Sequence, residues 1–273
     1  MRDVESVRIV SLDADGATEL SDDVVVEEPL EIRVNHMSLG VTMRTPGDDF
    51  DLAAGLLFTE GLIDSAAEIG TIAYCPDEDD PQLKNVVNVT IANPKRPLGP
   101  VRKTWANSSC GICGKATIDS IRQDARYIRG TISVACQILG ELPARLRVRQ
   151  VNFSKTGGIH AAGLFDRHGE LRLIREDLGR HNAVDKVVGA ALRQGADVGE
   201  AILVVSGRLG FEIAQKAVVA GIPIIASVSA PSSLAIALAD EMGVTAVGFV
   251  RGNSMNVYTH PERIIYGISE HHC

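Results

Sequence analysis

The chain has 273 residues, 45% of them hydrophobic, and a formal charge of −8. That supports one large core or two smaller ones, and the charge argues against bulk nucleic-acid binding. No apolar run approaches the roughly 20 residues of a membrane-spanning helix, and Arg2, Asp3, Glu5 and Arg8 interrupt the start of the chain, so neither membrane nor signal peptide is expected.

Val24 to Val26, Leu30 to Val34 and Leu39 to Met43 are short β-branched or alternating stretches between turn residues, which predicts a small sheet. Pro46-Gly47-Asp48 ends it, and Asp49 or Asp51 is placed to cap a helix carrying Leu52, Leu56 and Leu57 toward Gly61. Val86 to Ile91 alternates as a further strand, and the proline-rich run from Asn93 to Pro100 closes a small β-rich domain over 1–105. A mobile cysteine loop and linker is expected over 106–128 and a second, α/β domain over 129–273.

In the second domain Val134, Ile138, Leu142 and Leu146 recur at helical spacing, with Pro143 positioned to kink or end the helix. Gly163 to Phe165 and Leu171 to Ile174, around Asp166-Arg167-His168-Gly169, read as a hairpin. Val184, Val187, Val188, Ala191 and Leu192 form a helical stripe, with Asn182 as cap and Gly195 as stop. Ala201 to Val205, Ile222 to Val228 and Thr245 to Val250 then alternate with helices at Phe211 to Ala220 and, capped by Ser232 or Ser233, at Leu234 to Met242. This rhythm predicts parallel strands whose carboxyl ends share one edge. Ser206, Arg208, Ser229 and the run Arg251-Gly252-Asn253-Ser254 follow those ends. Ligands of open α/β sheets bind at such an edge, and two arginines among small residues suggest a phosphate or pyrophosphate group.

Ser109-Cys110-Gly111-Ile112-Cys113-Gly114-Lys115 sets a cysteine pair among small residues and a lysine. Positive charge favours thiolate, the form that attacks sulfur or binds metal. Zinc normally wants four N or S ligands, and the chain has no second pair; a thioredoxin-like dithiol normally opens a helix after a strand, whereas Lys103 to Asn107 reads as loop. A carrier or transfer thiol leads. Five cysteines, an odd number, fit a reducing compartment, so the cytoplasm is expected. His160 in Thr156-Gly157-Gly158-Ile159-His160-Ala161-Ala162 and His181 in Asp177 to Asn182 are candidates for proton transfer or ligand contact, or hydrogen-bonded structural groups. In zinc deaminases a His-x-Glu precedes Pro-Cys-x-x-Cys; here Ala162 stands at the glutamate position and the Cys-x-x-Cys lies upstream, so no metal site is expected.

Together the cysteine motif, Thr156 to Ala162, Asp177 to Asp185 and Val257-Tyr258-Thr259-His260-Pro261 resemble the formate dehydrogenase accessory sulfurtransferase family, FdhD, over nearly the whole chain and in the family's order. The resemblance implies a sulfur carrier that takes persulfide sulfur from a cysteine desulfurase and delivers it to the molybdenum bis(guanine dinucleotide) cofactor of formate dehydrogenase. It also implies a homodimer and a cytidine-deaminase-like α/β C-terminal domain. Cys110 would hold the persulfide with Cys113 as helper, and Phe249, Val250, Arg251, Gly252, Asn253 and Ser254 would match the family's cofactor-binding stretch, with GDP as a mimic. Ser254 is neutral where a second basic residue is expected. A nucleotide-binding regulatory module with structural cysteines and a zinc-dependent deaminase are the alternative functions.

Overall fold

The computed structural model describes residues 2–75, 84–92, 127–130 and 132–266; Cys110, Cys113 and nearly all of the expected linker lie outside them. Alternation in β3 (Glu28–Val34) and β6 (Val86–Ile91) turns Leu30, Ile32, Val34, Val87, Val89 and Ile91 to one face. With β4 (Met37–Arg44) and β5 (Ile69–Tyr74) they form a sheet of order β4-β3-β6-β5. Helix α1 (Asp49–Thr59) lays Leu52, Ala53, Leu56 and Leu57 on that face. Neither Asp49 nor Asp51 is its cap. Asp48, in the left-handed region at φ 55°, takes that position without a side-chain cap bond. The other two are held in the first turn by ion pairs, Asp49 with Arg44 and Asp51 with Arg175 and Arg193.

Before this sheet, β1 (Val4–Asp13) and β2 (Gly16–Val25) pair as a separate two-stranded ribbon, most of it exposed. Sequence patterning sees only its last residues, because the ribbon has no buried face to enforce alternation.

The second sheet has the order β13-β12-β11-β10-β8-β9. Its strands are β8 (His160–Phe165), β9 (Leu171–Asp177), β10 (Ile202–Val205), β11 (Ile224–Ser227), β12 (Thr245–Arg251) and β13 (Ser254–Val257). A minor parallel pair, β7 (Val134–Ala135) with β14 (Ile264–Ile265), lies beside it in sequence order. As predicted, β10, β11 and β12 run parallel. The expected strand from Ile222 is shorter, beginning at Ile224 after Pro223, which has no N–H for the ladder.

Helix α2 (Cys136–Arg149) covers one face through Leu139, Leu142 and Leu146. It runs through Pro143 without ending, because those leucines stay buried on both sides of it. A short α3 (Val151–Thr156), not anticipated, follows at once. The opposite face is covered by α4 (Arg180–Gln194), α5 (Phe211–Ala220) and α6 (Ser233–Glu241). Ser232 caps α6 by accepting from Ala235 N–H at 3.2 Å. Gly179 rather than Asn182 is the cap of α4; Asn182 lies in its first turn and donates to Met43 O at 2.8 Å and Asp177 Oδ1 at 3.0 Å.

The two sheets are joined where α1 crosses α4 at backbone contact. A Cβ on Gly55 would fall 1.9 Å from Asp185 O, and one on Gly189 1.9 Å from Asp51 O. Charges are buried around that crossing. Lys186 Nζ lies 2.7 Å from Asp177 Oδ2 and donates to Thr45 O at 2.9 Å, while Lys216 Nζ lies 2.8 Å from Asp185 Oδ1.

Candidate functional site

Because β9 through β12 run one way and β8 and β13 the other, the carboxyl ends of four strands and the amino end of β8 meet on one edge. A cleft of about 790 Å³ opens between this edge and the α2–α3 corner, within the ~300–1,000 Å³ typical of small-molecule sites. The sheet supplies His160, Ser206, Val228, Val250, Arg251 and Gly252 to its wall. From the helical side come Arg147, Gln150 and Phe153, together with Gly157 and Gly158, which have no side chains.

The turn between β12 and β13 is pressed onto α2. A Cβ on Gly140 would stand 1.8 Å from Gly252 O, so only glycine lets the helix approach. Upstream, β12 carries a register irregularity between Gly248 and Arg251, where Phe249 takes φ 53° and donates its N–H to Ser229 O at 3.2 Å. This strained residue aims the strand end at the cleft. Arg251 is exposed there with no ion pair among the described residues.

Ser206 and His160 link two adjacent strand ends. Ser206 N–H donates to Ala161 O at 3.0 Å, and its Oγ accepts from Ala161 N–H at 2.9 Å and lies 3.4 Å from His160 Nδ1. Burial holds His160 below its usual 6.5, and the positive charges of Arg180 and His181 act the same way, against Asp177. Both effects favour the neutral form of the imidazole in the cleft. Behind it His181 Nε2 contacts Glu212 Oε2 at 2.6 Å; burial works to raise the Glu212 carboxyl, but the His181 hydrogen bond and nearby positive charge hold it below its usual range.

Of the residues read from sequence as ligand-binding, the structure brings Ser206, Val250, Arg251 and Gly252 together on the cleft wall. Phe249 supports them from the irregular strand, Ser229 anchors Phe249, Asn253 is in the turn and Ser254 pairs with Arg251 as β13 begins. Arg208 is exposed in the loop after β10 and is not on the cleft wall. Gly140, Gln150 and Phe153 escape the sequence reading, since nothing in their local pattern reports that α2 turns back onto the sheet edge. Among the described residues no group of three or more His, Cys, Asp or Glu is placed to hold a metal ion, and no helix is long and apolar enough to cross a membrane.

Comparison with known proteins fits this arrangement to one family. Residues 25–265 match the model of the FdhD/NarQ family. The chain is 52% identical to the sulfur carrier protein FdhD of Streptomyces avermitilis over 260 residues, covering 92% of each. It is 46% identical to the protein of that name from Sulfolobus acidocaldarius over 252 residues, covering 92% of this chain and 94% of the relative. A crystal structure of a protein assigned as a formate dehydrogenase accessory protein from Desulfotalea psychrophila superposes with a TM-score of 0.78 at 28% identity, covering 96% of this chain and 99% of that one. The chain belongs to the FdhD/NarQ family.

Proposed function

We propose that this protein is a cytoplasmic sulfur carrier that serves formate dehydrogenase. The Cys110 thiolate takes the sulfane sulfur from a cysteine desulfurase persulfide, leaving the desulfurase as thiolate and Cys110 as persulfide. The acceptor is the molybdenum bis(guanine dinucleotide) cofactor, bound as substrate, and the working form is a homodimer. Releasing the sulfur as sulfide takes two electrons, which Cys113 supplies by attacking Cys110 Sγ to form a disulfide and expel HS⁻.

The observation that carries the reading is the cleft at the carboxyl edge of the second sheet, where Val250, Arg251 and Gly252 stand opposite glycines and an aromatic ring. An exposed arginine with no ion pair among the described residues suits a pyrophosphate, and the largely apolar remainder suits a heterocycle.

The test is mass spectrometry after incubation with a desulfurase and cysteine. The Cys110 peptide is expected to gain one sulfur atom and Cys110→Ser to gain none there. Label confined to Cys75, Cys136 or Cys273 overturns the assignment, and absence of any label favours a nucleotide-binding module without a carrier thiol.

A further inference from the structure

Among the described residues nothing covers the outer half of the ribbon formed by β1 and β2. Its root rests on α3: Asn152 Nδ2 donates to Asp3 Oδ2 at 2.8 Å, and a Cβ on Gly158 would meet Val25 Cγ1 at 3.8 Å. From Val10 to Asp22 every residue is exposed, Val10 at 59% and Leu12 at 76%. A two-stranded hairpin alone is marginally stable in water, and natural sheet edges are normally blunted or covered. Nearly all of the ribbon also precedes residue 25, where the family match begins, so the family's frame does not account for it.

The chemistry of the ribbon is one-sided. From Val4 to Val25 it carries six acidic side chains against one arginine, a net charge of −5. Alternation puts Val10 and Leu12 on one face, and the register sets Glu19 and Ala17 across from them, so that face is apolar with acidic flanks. The opposite composition occurs where α2 ends and α3 begins. Residues 145–155 hold three arginines, one lysine and no acid, around Val148 at 83% exposure and Val151 at 61%. Arg149 and Lys155 are exposed there with no ion pair among the described residues. The chain's own ribbon leaves both valines bare although it is rooted on the adjoining helix. Acidic arm and basic seat are therefore neighbours on one surface, as a two-fold exchange between identical chains requires.

We propose that two copies of this chain exchange ribbons, the outer half of each lying on the α2–α3 corner of the other. The inference rests on the reading of the working form as a homodimer, and it supplies the interface. Val10 and Leu12 meet Val148 and Val151, while the carboxylates of the arm face Arg149 and Lys155. An apolar centre inside a charged rim is the arrangement of specific interfaces, with the charges selecting the partner and speeding encounter. The two-fold axis makes the contact twice. The same corner supplies Arg147 and Phe153 to the cleft wall, so the partner's ribbon lies at the outer rim of the cleft.

Sedimentation velocity on the full chain tests this with charge reversal at exposed positions: Arg149→Glu with Lys155→Glu in the seat, and Asp15→Lys with Glu19→Lys in the arm. Each double variant should weaken the parent's dimer by roughly tenfold or more, because like charges then face each other twice. An equimolar mixture of the two should regain the parent's dimer constant to within about threefold, since in the mixed pair one contact is native and the other is reversed on both sides. If the parent and both variants dimerise equally well, the interface lies elsewhere; the inference is then wrong and the homodimer reading stands. Weakening that the mixture does not repair would show that these charges do not meet between copies, which also sinks it. A parent that stays monomeric at every concentration overturns both readings. Should a variant fail to fold, salt decides: raising NaCl from about 0.1 M to about 1 M, which shortens the screening length from about 10 to about 3 Å, should weaken the parent's dimer by at least about threefold, and an unchanged constant overturns the inference.

Discussion

The joint between the two sheets and the cleft edge of the second sheet use charge in opposite ways. At the joint charges are buried and paired: Arg44 with Asp49, Lys186 with Asp177, Lys216 with Asp185, each ion pair within 3.0 Å. At the edge Arg208 and Arg251 are exposed and form no ion pair among the described residues. Burying an ion pair costs desolvation that its attraction barely offsets, so these pairs are better understood as fixing neighbouring elements around the joint, α1 on β4 and α4 on β9 and α5, than as a source of stability. An exposed arginine contributes little to folding but keeps its donors available for an anion.

Lys186→Met sharpens that contrast most. Lys186 is 1% exposed, and its ammonium is held by Asp177 at 2.7 Å, Thr45 O at 2.9 Å and Glu176 O at 3.3 Å. Burial pushes the Asp177 carboxyl up, and Lys186, the N–H of Gly179 and the Asn182 amide oppose that push. Without the lysine the carboxylate is stranded, at about 3–5 kcal/mol. Urea denaturation should show a loss of that size, and Asp177→Asn added to Lys186→Met should recover part of it. A loss under about 1 kcal/mol would mean that water reaches the pair.

Arg251→Ala is expected to do the reverse. Folding should change by no more than about 0.5 kcal/mol, as for other surface sites, while GDP affinity falls by about 1.5–3 kcal/mol, the contribution of a charged hydrogen bond. Denaturation and calorimetry on one preparation separate the two effects. An equal loss in both would place Arg251 with the joint's structural charges.

How much of this was legible in sequence depends on how local each signal was. The run from Ala201 onward was readable because continuous apolar strands, Gly221 and the Ser232 cap state the α/β order within a few residues of each other, and parallel order places Ser206, Val250 and Arg251 on one edge. Asp51 and Asn182, good capping types in sequence, are not caps because partners distant in sequence engage them, Asp51 by Arg175 and Arg193 and Asn182 by Met43, while Asp49 is taken by Arg44 five residues earlier. Gln150 and Gly140 were invisible for the same reason, since the closeness of Gly140 to Gly252 is a property of the folded corner. Sequence gives His160 two readings, because its proximity to Ser206 is set by strand pairing of β8 with β10.

The smallest expected effect belongs to His160, which lies between the two regions, with Arg180 and His181 acting on it from α4 and the cleft in front. Burial, Arg180 and His181 keep its folded pKa below the usual 6.5. In the window below about 6.5 the unfolded chain therefore binds more protons than the folded one, and stability falls as pH drops from 6.5 toward the folded pKa. Glu212, held below its usual 4.5, adds stability that is lost only as pH falls beneath 4.5, so the two groups separate on the pH axis. His160→Gln keeps a side chain able to bond Ser206 but cannot take up a proton. Urea midpoints measured from pH 7.5 to pH 5 should decline less steeply in His160→Gln than in the parent, with the two curves converging in slope above pH 7. Parallel curves over that whole range would show that the imidazole titrates alike in both states, and that the cleft is wetter than its geometry indicates.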